Sequence, residues 1–585
     1  MTPIKTAFAL AAAVLLAACS SISSADRQAS RGADDFSPEQ GHGMTEQKLV
    51  RAKEFMAASA NPLATEAGYQ ILKQGGSAVD AMIAMQTTLS LVEPQSSGLG
   101  GAFVVYWDNE AKKLTTFDAR ETAPKAATPE LFLDKEGKPL EFKQAVVGGR
   151  SVGTPGVPKM MEELHQRYGK MAWARLFDMP VKLAEEGFQV SPRMAASIQS
   201  NAEHLQRYPA TAAYFLPGGQ ALQAGALLKN PEFAATVKTL AKDGAKPFYD
   251  GKYAQNIIKA VRGAEDNPGK LAAVDFKNYK IIEREAVCGD YREYQVCGMG
   301  APSSGGIALA QITGILNRFE QKQFSYRNLN SWRLLGDASR LAFADRDLYV
   351  ADPDFVKVPT QALVSDAYLK QRAALLANTG QALSETPAGD FGSKQAAAPA
   401  IELPSTSHIV AVDKHGNVLS MTTSIENAFG STLMANGYLL NNELTDFSFE
   451  PVKNGQPVAN RVEGGKRPRS SMAPTIVLKN GRPYMAVGSP GGSRIIGYVA
   501  KTLVAHIDWG MDIQKAISLP NMLNRFGTYE LEQNTAAAKQ AEALQKIGYK
   551  TEVRDLNSGV QGIVITDKGL IGGADPRREG KVMGD

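Results

Sequence analysis

The chain has 585 residues, 44% of them hydrophobic and 21% charged, enough to bury a large core and ordinary for a globular protein. Its formal net charge of +4 is spread thinly. There is no long basic run and no interleaving of arginine with aromatic residues, so nucleic-acid binding has no support. Length alone argues softly for two or more domains.

The N-terminus, MTPIKTAFALAAAVLLAACSS, sets Lys5 ahead of an apolar run from Ala7 to Ala18 that is too short to span a bilayer. Leu16-Ala17-Ala18-Cys19 resembles the bacterial lipoprotein signal, in which cleavage leaves a lipidated cysteine as the first residue. A plain secretory signal that happens to contain a cysteine is the other reading. On the first reading residues 1–18 are the signal, Cys19 carries the lipid, and the small polar run 19–43 is a tether. Ser20 is the kind of following residue found in such proteins when they are sent to the outer membrane. The expected location is therefore periplasmic, on the outer membrane of a Gram-negative bacterium, with membrane contact only through the anchor. No later stretch is long and apolar enough for a transmembrane helix.

The folded body begins near Met44. NPLATEAGYQILKQGG (61–76) has apolar residues at helical spacing and a Gly-Gly stop, and SAVDAMIAMQTTLSLV (77–92) reads as a second, mostly buried helix. GLGGAFVVYWDNEAKKLTTFDARETAP predicts a hairpin turning near Asp108-Asn109. Residues 155–385 are mainly helical in pattern. Within them Cys288 and Cys297 flank a turn suggested at Gly289-Asp290 and neighbouring residues. The pair reads as a cross-strand disulfide or as two buried thiols, and without accompanying histidines it is no zinc site. A loose linker, about 386–405, leads into strand-rich sequence from 406 to 585, interrupted by helices near 493–509 and 535–547. Hairpins at both ends and helices through the first two-thirds predict an α+β body, layered αββα, and not a regular βαβ array.

Six histidines are few for so long a chain, and no H-E-x-x-H, P-loop or G-x-G-x-x-G stretch occurs, so neither a metal nor a cofactor is expected. Gly149-Arg150-Ser151-Val152-Gly153 fits G-x-S-x-G, but a nucleophile elbow needs a helix at once. Pro155 and Pro158 delay one, and a glycine-rich loop fits better. A different arrangement begins at Thr406 in LPSTSHIVAVDKHGN. A threonine hydroxyl needs a nearby base. If the chain were cut before Thr406, its own α-amine, titrating near ~8, would serve without any histidine. Taken alone, the stretch also fits an ordinary polar lead-in to a strand. Downstream, Ser470 and Ser471 precede a strand, and Gly491-Gly492 sit at a strand-to-helix junction where backbone N–H groups can face an oxyanion.

Together TSHIVAVDKHGN, NNELTDFS, KRPRSSM, GSPGGSRI, FDARETAP, PSSGG and ADPR resemble the γ-glutamyltranspeptidase family of N-terminal-nucleophile hydrolases, from about Met44 to the C-terminus. The resemblance implies a four-layer αββα sandwich formed jointly by a large subunit (44–405) and a small catalytic subunit (406–585). The two arise by self-cleavage between Ser405 and Thr406 and remain together as a heterodimer. It implies Thr406 as the nucleophile toward γ-glutamyl compounds such as glutathione, with water, amino acids or dipeptides as acceptors. Ser424 would hydrogen-bond the nucleophile where many relatives have threonine, and Gly491 and Gly492 would form the oxyanion hole. Arg120 with Ser470 and Ser471 would hold the substrate α-carboxylate, and Asp446 with Glu443 and Glu426 its α-ammonium. The segment 448–465, a lid in some relatives, has an intermediate length here. The rival readings are a glutaryl (cephalosporin) acylase of the same superfamily and a catalytically silent, envelope-anchored binding homologue.

Overall fold

A computed structural model of the chain describes residues 45–377, 380–398 and 405–585. The expected signal, Cys19 and the tether lie outside the described residues, as does part of the linker, 399–404.

Two seven-stranded sheets organise the body. In chain order their strands are β1 (Val50–Ala52), β2 (Met56–Ser59), β3 (Gly101–Asp108), β4 (Lys113–Asp118), β5 (Ile282–Arg284), β6 (Val287–Tyr291) and β7 (Tyr294–Gly298). After the linker come β8 (Ser407–Val412), β9 (Val418–Ser424), β10 (Thr475–Lys479), β11 (Arg482–Gly488), β12 (Gln561–Thr566), β13 (Gly569–Ala574) and β14 (Lys581–Gly584). One sheet runs β1-β13-β12-β11-β10-β7-β6 and the other β14-β2-β8-β9-β3-β4-β5. Each takes strands from both sides of residue 406, so the two predicted subunits share both sheets.

Strand periodicity sets the layering. Along β8, Val410 and Val412 pack with Met56, Val105, Ile476 and Ile563 between the sheets. Ile409 and Ala411 point the opposite way, onto α1 (Pro62–Lys73) and α2 (Ala78–Val92). On the far side, Val477, Met485 and Val487 meet α3 (Gly305–Leu316) and α4 (Ile495–Ile507). The result is the predicted helix–sheet–sheet–helix sandwich. The first two helices start where their caps dictate. The Asn61 side chain accepts from the Leu63 N–H with Pro62 behind it, and Ser77 and Asp80 form a capping box. Gly68 lets α1 approach α2, since a Cβ there would stand 2.6 Å from Met85 Cγ.

Two local expectations shift. The β6–β7 turn falls at Arg292-Glu293, with Arg292 at φ 57°, and not at Gly289-Asp290. Gly289 is glycine for another reason: a Cβ would stand 2.8 Å from that of Ala310 on α3. The register pairs Cys288 with Cys297, and the two are joined in a disulfide. The helix expected over 535–547 is α-helical only from Ala541 to Lys546, because Thr535 spends its hydroxyl on the turn before it, bonding Glu532 C=O and the Ala537 N–H.

Candidate active site

Thr406 stands one residue before β8, an interior strand. The hairpin register pairs Ser407 with Thr423, which sets Thr406 across from Ser424, the last residue of β9. Their hydroxyl oxygens are 3.3 Å apart. Ser424 Oγ accepts the Glu426 backbone N–H at 2.8 Å, so its own proton can point at Thr406 Oγ1. The peptide on either side is gripped by the turn that follows α2: Ser405 Oγ donates to the Gln95 carbonyl at 2.7 Å, and Ser407 Oγ to the Glu93 carboxylate at 2.6 Å. Arg193 in turn pairs with Glu93. Arg578 donates to the Thr406 carbonyl at 3.3 Å. His408, by contrast, is buried between the sheets against Thr422 Oγ1 at 2.9 Å, and burial pushes it down to about 3. A neutral imidazole turned into the core is no base for Thr406.

Gly491 and Gly492 occupy the junction between β11 and α4 at φ 134° and 57°, positions an L side chain would strain. Among the described residues neither N–H donates to a hydrogen-bond partner. Every predicted catalytic and substrate-binding residue except Gly491 lines one pocket, whose cavity is ≈ 20 Å³, room for about one water.

In the charged half of the pocket Arg120, Ser470 and Ser471 line the same wall space, and among the described residues Arg120 bonds neither serine side chain. Its Nη1 and Nη2 pair with Glu443 and Asp446, while Nε and Nη2 also donate to the Pro468 and Arg469 carbonyls at 3.2 and 2.7 Å. All three side chains are buried. Burial works against the Arg120 charge, but Glu443 and then Asp446 hold it above its ordinary range. Burial likewise pushes Glu443 up to about 7 against the pull of Arg120, and raises Asp446. Glu426, on the other wall, accepts from the Asn442 side chain. Ser470 Oγ accepts the Met472 N–H at 3.0 Å, and Ser471 Oγ accepts Arg346 Nη2 at 2.9 Å.

Four contributors escaped the sequence reading: the Glu93–Gln95 turn, Arg346, Arg578 and Glu121, the residue after Arg120. Glu121 lies inside FDARETAP and Arg578 directly after ADPR, so proximity to a motif was the available signal for those two, while Arg346 belongs to none of the motifs. Ser151 of the G-x-S-x-G stretch is buried and donates to the Val146 carbonyl at 2.7 Å, with no helix until Val157. It is a loop serine whose carbonyl accepts the Leu444 N–H at 3.0 Å, so it supports the 443–446 turn from behind and does not line the pocket.

Two antiparallel sheets stacked between helices, with a hydroxyl residue at the head of an interior strand and backbone donors nearby, define an N-terminal-nucleophile hydrolase. A sequence model described as gamma-glutamyltranspeptidase matches residues 64–585, and the chain belongs to that family. It is 38% identical over 551 residues to a glutathione hydrolase proenzyme of Bacillus subtilis, covering 91% of this chain and 92% of that one. It is 35% identical to a glutathione hydrolase proenzyme of Escherichia coli, over 90% of this chain and 91% of that one. Among solved structures, a cephalosporin acylase from Bacillus halodurans superposes with a TM-score of 0.81 at 26% identity, over 93% of this chain and 98% of that one.

Proposed function

We propose that the chain is a self-cleaving γ-glutamyltranspeptidase and glutathione hydrolase whose nucleophile is Thr406. In the intact chain Thr406 Oγ1 attacks the Ser405 carbonyl carbon, its proton leaving to a nearby base. The Ser405–Thr406 C–N bond breaks as the nitrogen gains a proton, leaving an ester. Water hydrolyses that ester to a Ser405 carboxylate, a free Thr406 hydroxyl and a free α-amine. The α-amine is then the local base for turnover.

In the second reaction Thr406 Oγ1 attacks the γ-carbonyl of a γ-glutamyl amide and passes its proton to the α-amine. The Gly491 and Gly492 N–H groups take the oxyanion; losing one such donor costs about 10²–10³ in rate. The leaving amine departs with the proton, and water or the amine of an amino acid or dipeptide attacks the acyl-enzyme. Recognition rearranges the two ion pairs that Arg120 makes with Glu443 and Asp446. The substrate α-ammonium takes the place of the Arg120 guanidinium at Glu443 and Asp446, with Glu426 close by. Its α-carboxylate takes Arg120 with Ser470 and Ser471, and no charge is left unpaired.

The observation that carries this reading is the buried set of opposite charges in the pocket of Thr406: a cation for a carboxylate and two acids for an ammonium on one carbon. Thr406→Ala is expected to give one uncleaved band on a denaturing gel and to lose at least about 10³-fold in activity. A wild-type chain that also runs as one band overturns self-processing. A γ-glutamyl anilide assayed beside a glutaryl anilide decides between transpeptidase and acylase, and turnover of the glutaryl compound alone reverses the assignment. For location we propose lipidation at Cys19 and an outer-membrane anchor in the periplasm. Cys19→Ser should move the protein from the membrane to the soluble fraction, and an unchanged distribution sinks the anchor.

A further inference from the structure

Beside the recognition charges lies a carboxyl group that the mechanism above does not use. Glu121 is fully buried, and neither of its oxygens has a hydrogen-bond partner among the described residues. The same holds for Oε2 of Glu443, whose other oxygen meets Arg120. The Glu121 and Glu443 carboxyls lie within hydrogen-bond reach of each other. The backbone has cleared space for this group: a Cβ on Gly101 would stand 2.0 Å from Glu121 Oε2, and one on Gly100 2.7 Å from Oε1. A Cβ on Gly153 would meet the Glu121 Cβ at 2.8 Å. Three glycines around one side chain mark a built position.

Two ionised carboxylates facing each other in a dry interior would leave acceptor opposite acceptor, which is costly. One proton between them satisfies an oxygen on each side. We propose that Glu121 is held as the neutral acid and donates its O–H to Glu443 Oε2, orienting that carboxylate and keeping it ionised for the α-ammonium of a γ-glutamyl substrate. This rests on the function proposed above and makes Glu121 a positioning residue, since it touches Glu443 and not the substrate. The charged and titratable groups around it are Glu443 and Asp446 from the 443–446 turn, Arg120 from its own segment, and Tyr279. Burial and then Glu443 drive Glu121 well above the ordinary carboxyl range, in keeping with a proton retained at neutral pH. A carboxyl raised in the folded state costs stability once pH passes its unfolded value, so this cost grows as pH climbs toward the folded value. Glutamine at this position keeps the shape and a donor but needs no proton.

The test compares Thr406→Ala precursor with the same protein carrying Glu121→Gln. The infrared spectrum of the parent at about pH 8 should hold a neutral carboxylic-acid carbonyl band that Glu121→Gln removes. The parent's Tm should fall more steeply between about pH 5 and 9 than the variant's. In processed enzyme, Glu121→Gln should leave KM for the γ-glutamyl anilide within about threefold, while Glu121→Leu should raise it at least about tenfold with a smaller change in kcat. Absence of the band, or a tenfold rise in KM for Glu121→Gln, overturns the proposal, because the position would then need a charge. The infrared and Tm measurements use no substrate. They test the shared proton even if the γ-glutamyl anilide is not turned over, a result that would instead sink the functional reading.

Discussion

Two of the buried clusters of arginines and acids among the described residues differ in how completely they are satisfied. Around Glu530 every acceptor is taken: Arg494 donates from Nε at 3.1 Å and Nη2 at 2.5 Å, Arg525 from Nε at 3.1 Å and Nη2 at 2.8 Å, and Arg554 at 3.4 Å. Burial there is outweighed by Arg525 and then Arg494, and Glu530 is pulled down to about 2. Around Arg120 the balance is reversed. One guanidinium faces Glu443 and Asp446 with Glu121 behind, oxygens of all three acids lack partners, and the acids are raised. A cluster that only holds the fold can be completed by its own residues. One with the proposed role of receiving a zwitterion keeps unfilled acceptors, at a cost the rest of the fold carries.

Breaking the site cluster should have the larger effect on activity. Arg120→Gln removes the proposed carboxylate partner and leaves Glu443 and Asp446 without a cation. The kcat/KM for a γ-glutamyl anilide should fall by about 10³-fold, mostly through KM. Arg120→Lys should restore less than about tenfold of that, because an ammonium lacks the fork that reaches two acceptors. Steady-state kinetics on processed enzyme checks both. Breaking the structural cluster should act elsewhere. Glu530→Gln leaves three arginines facing a neutral amide and should cost about 3–5 kcal/mol in denaturant unfolding. Any loss of rate should appear in kcat, because Arg494 follows the Gly491–Gly492 turn, and not in KM. The sign with pH also follows: Glu530 sits below its unfolded value, so its contribution is complete above about pH 5 and is lost as pH falls toward about 2.

This contrast explains what was readable in the sequence. Layering was readable because β8 alternates between two cores, Val410 and Val412 one way and Ile409 and Ala411 the other. Helix starts at Asn61 and Ser77 were readable because their caps are local. The pocket's membership came from the resemblance, since Arg120 and Asp446 are 326 residues apart and no periodicity joins them. The pairing within the pocket was not readable at all. Which acid meets Arg120, and that Ser471 meets Arg346, depends on side-chain rotamers on turns that only the packed sandwich brings together. Nor could spacing reveal Glu121, whose burial is set by Gly100, Gly101 and Gly153 from two other segments.

The smallest expected effect concerns the nucleophile's neighbour, and it separates positioning by the strand from positioning by the side chain. Ser424 is placed by the β8–β9 register and further held by the Glu426 N–H at 2.8 Å. Two fixed points locate its hydroxyl without the methyl group a threonine would add. Ser424→Thr should therefore change kcat by no more than about threefold and leave KM unaltered, although a β-branched residue restricts χ1 further. Ser424→Ala removes the hydroxyl and should lower kcat by about tenfold or more with the same KM. If Ser424→Thr instead raises kcat by an order of magnitude, the serine rotamer rather than the strand register limits the wild-type enzyme. The side chain would then be the weak element of a site whose backbone is otherwise fixed.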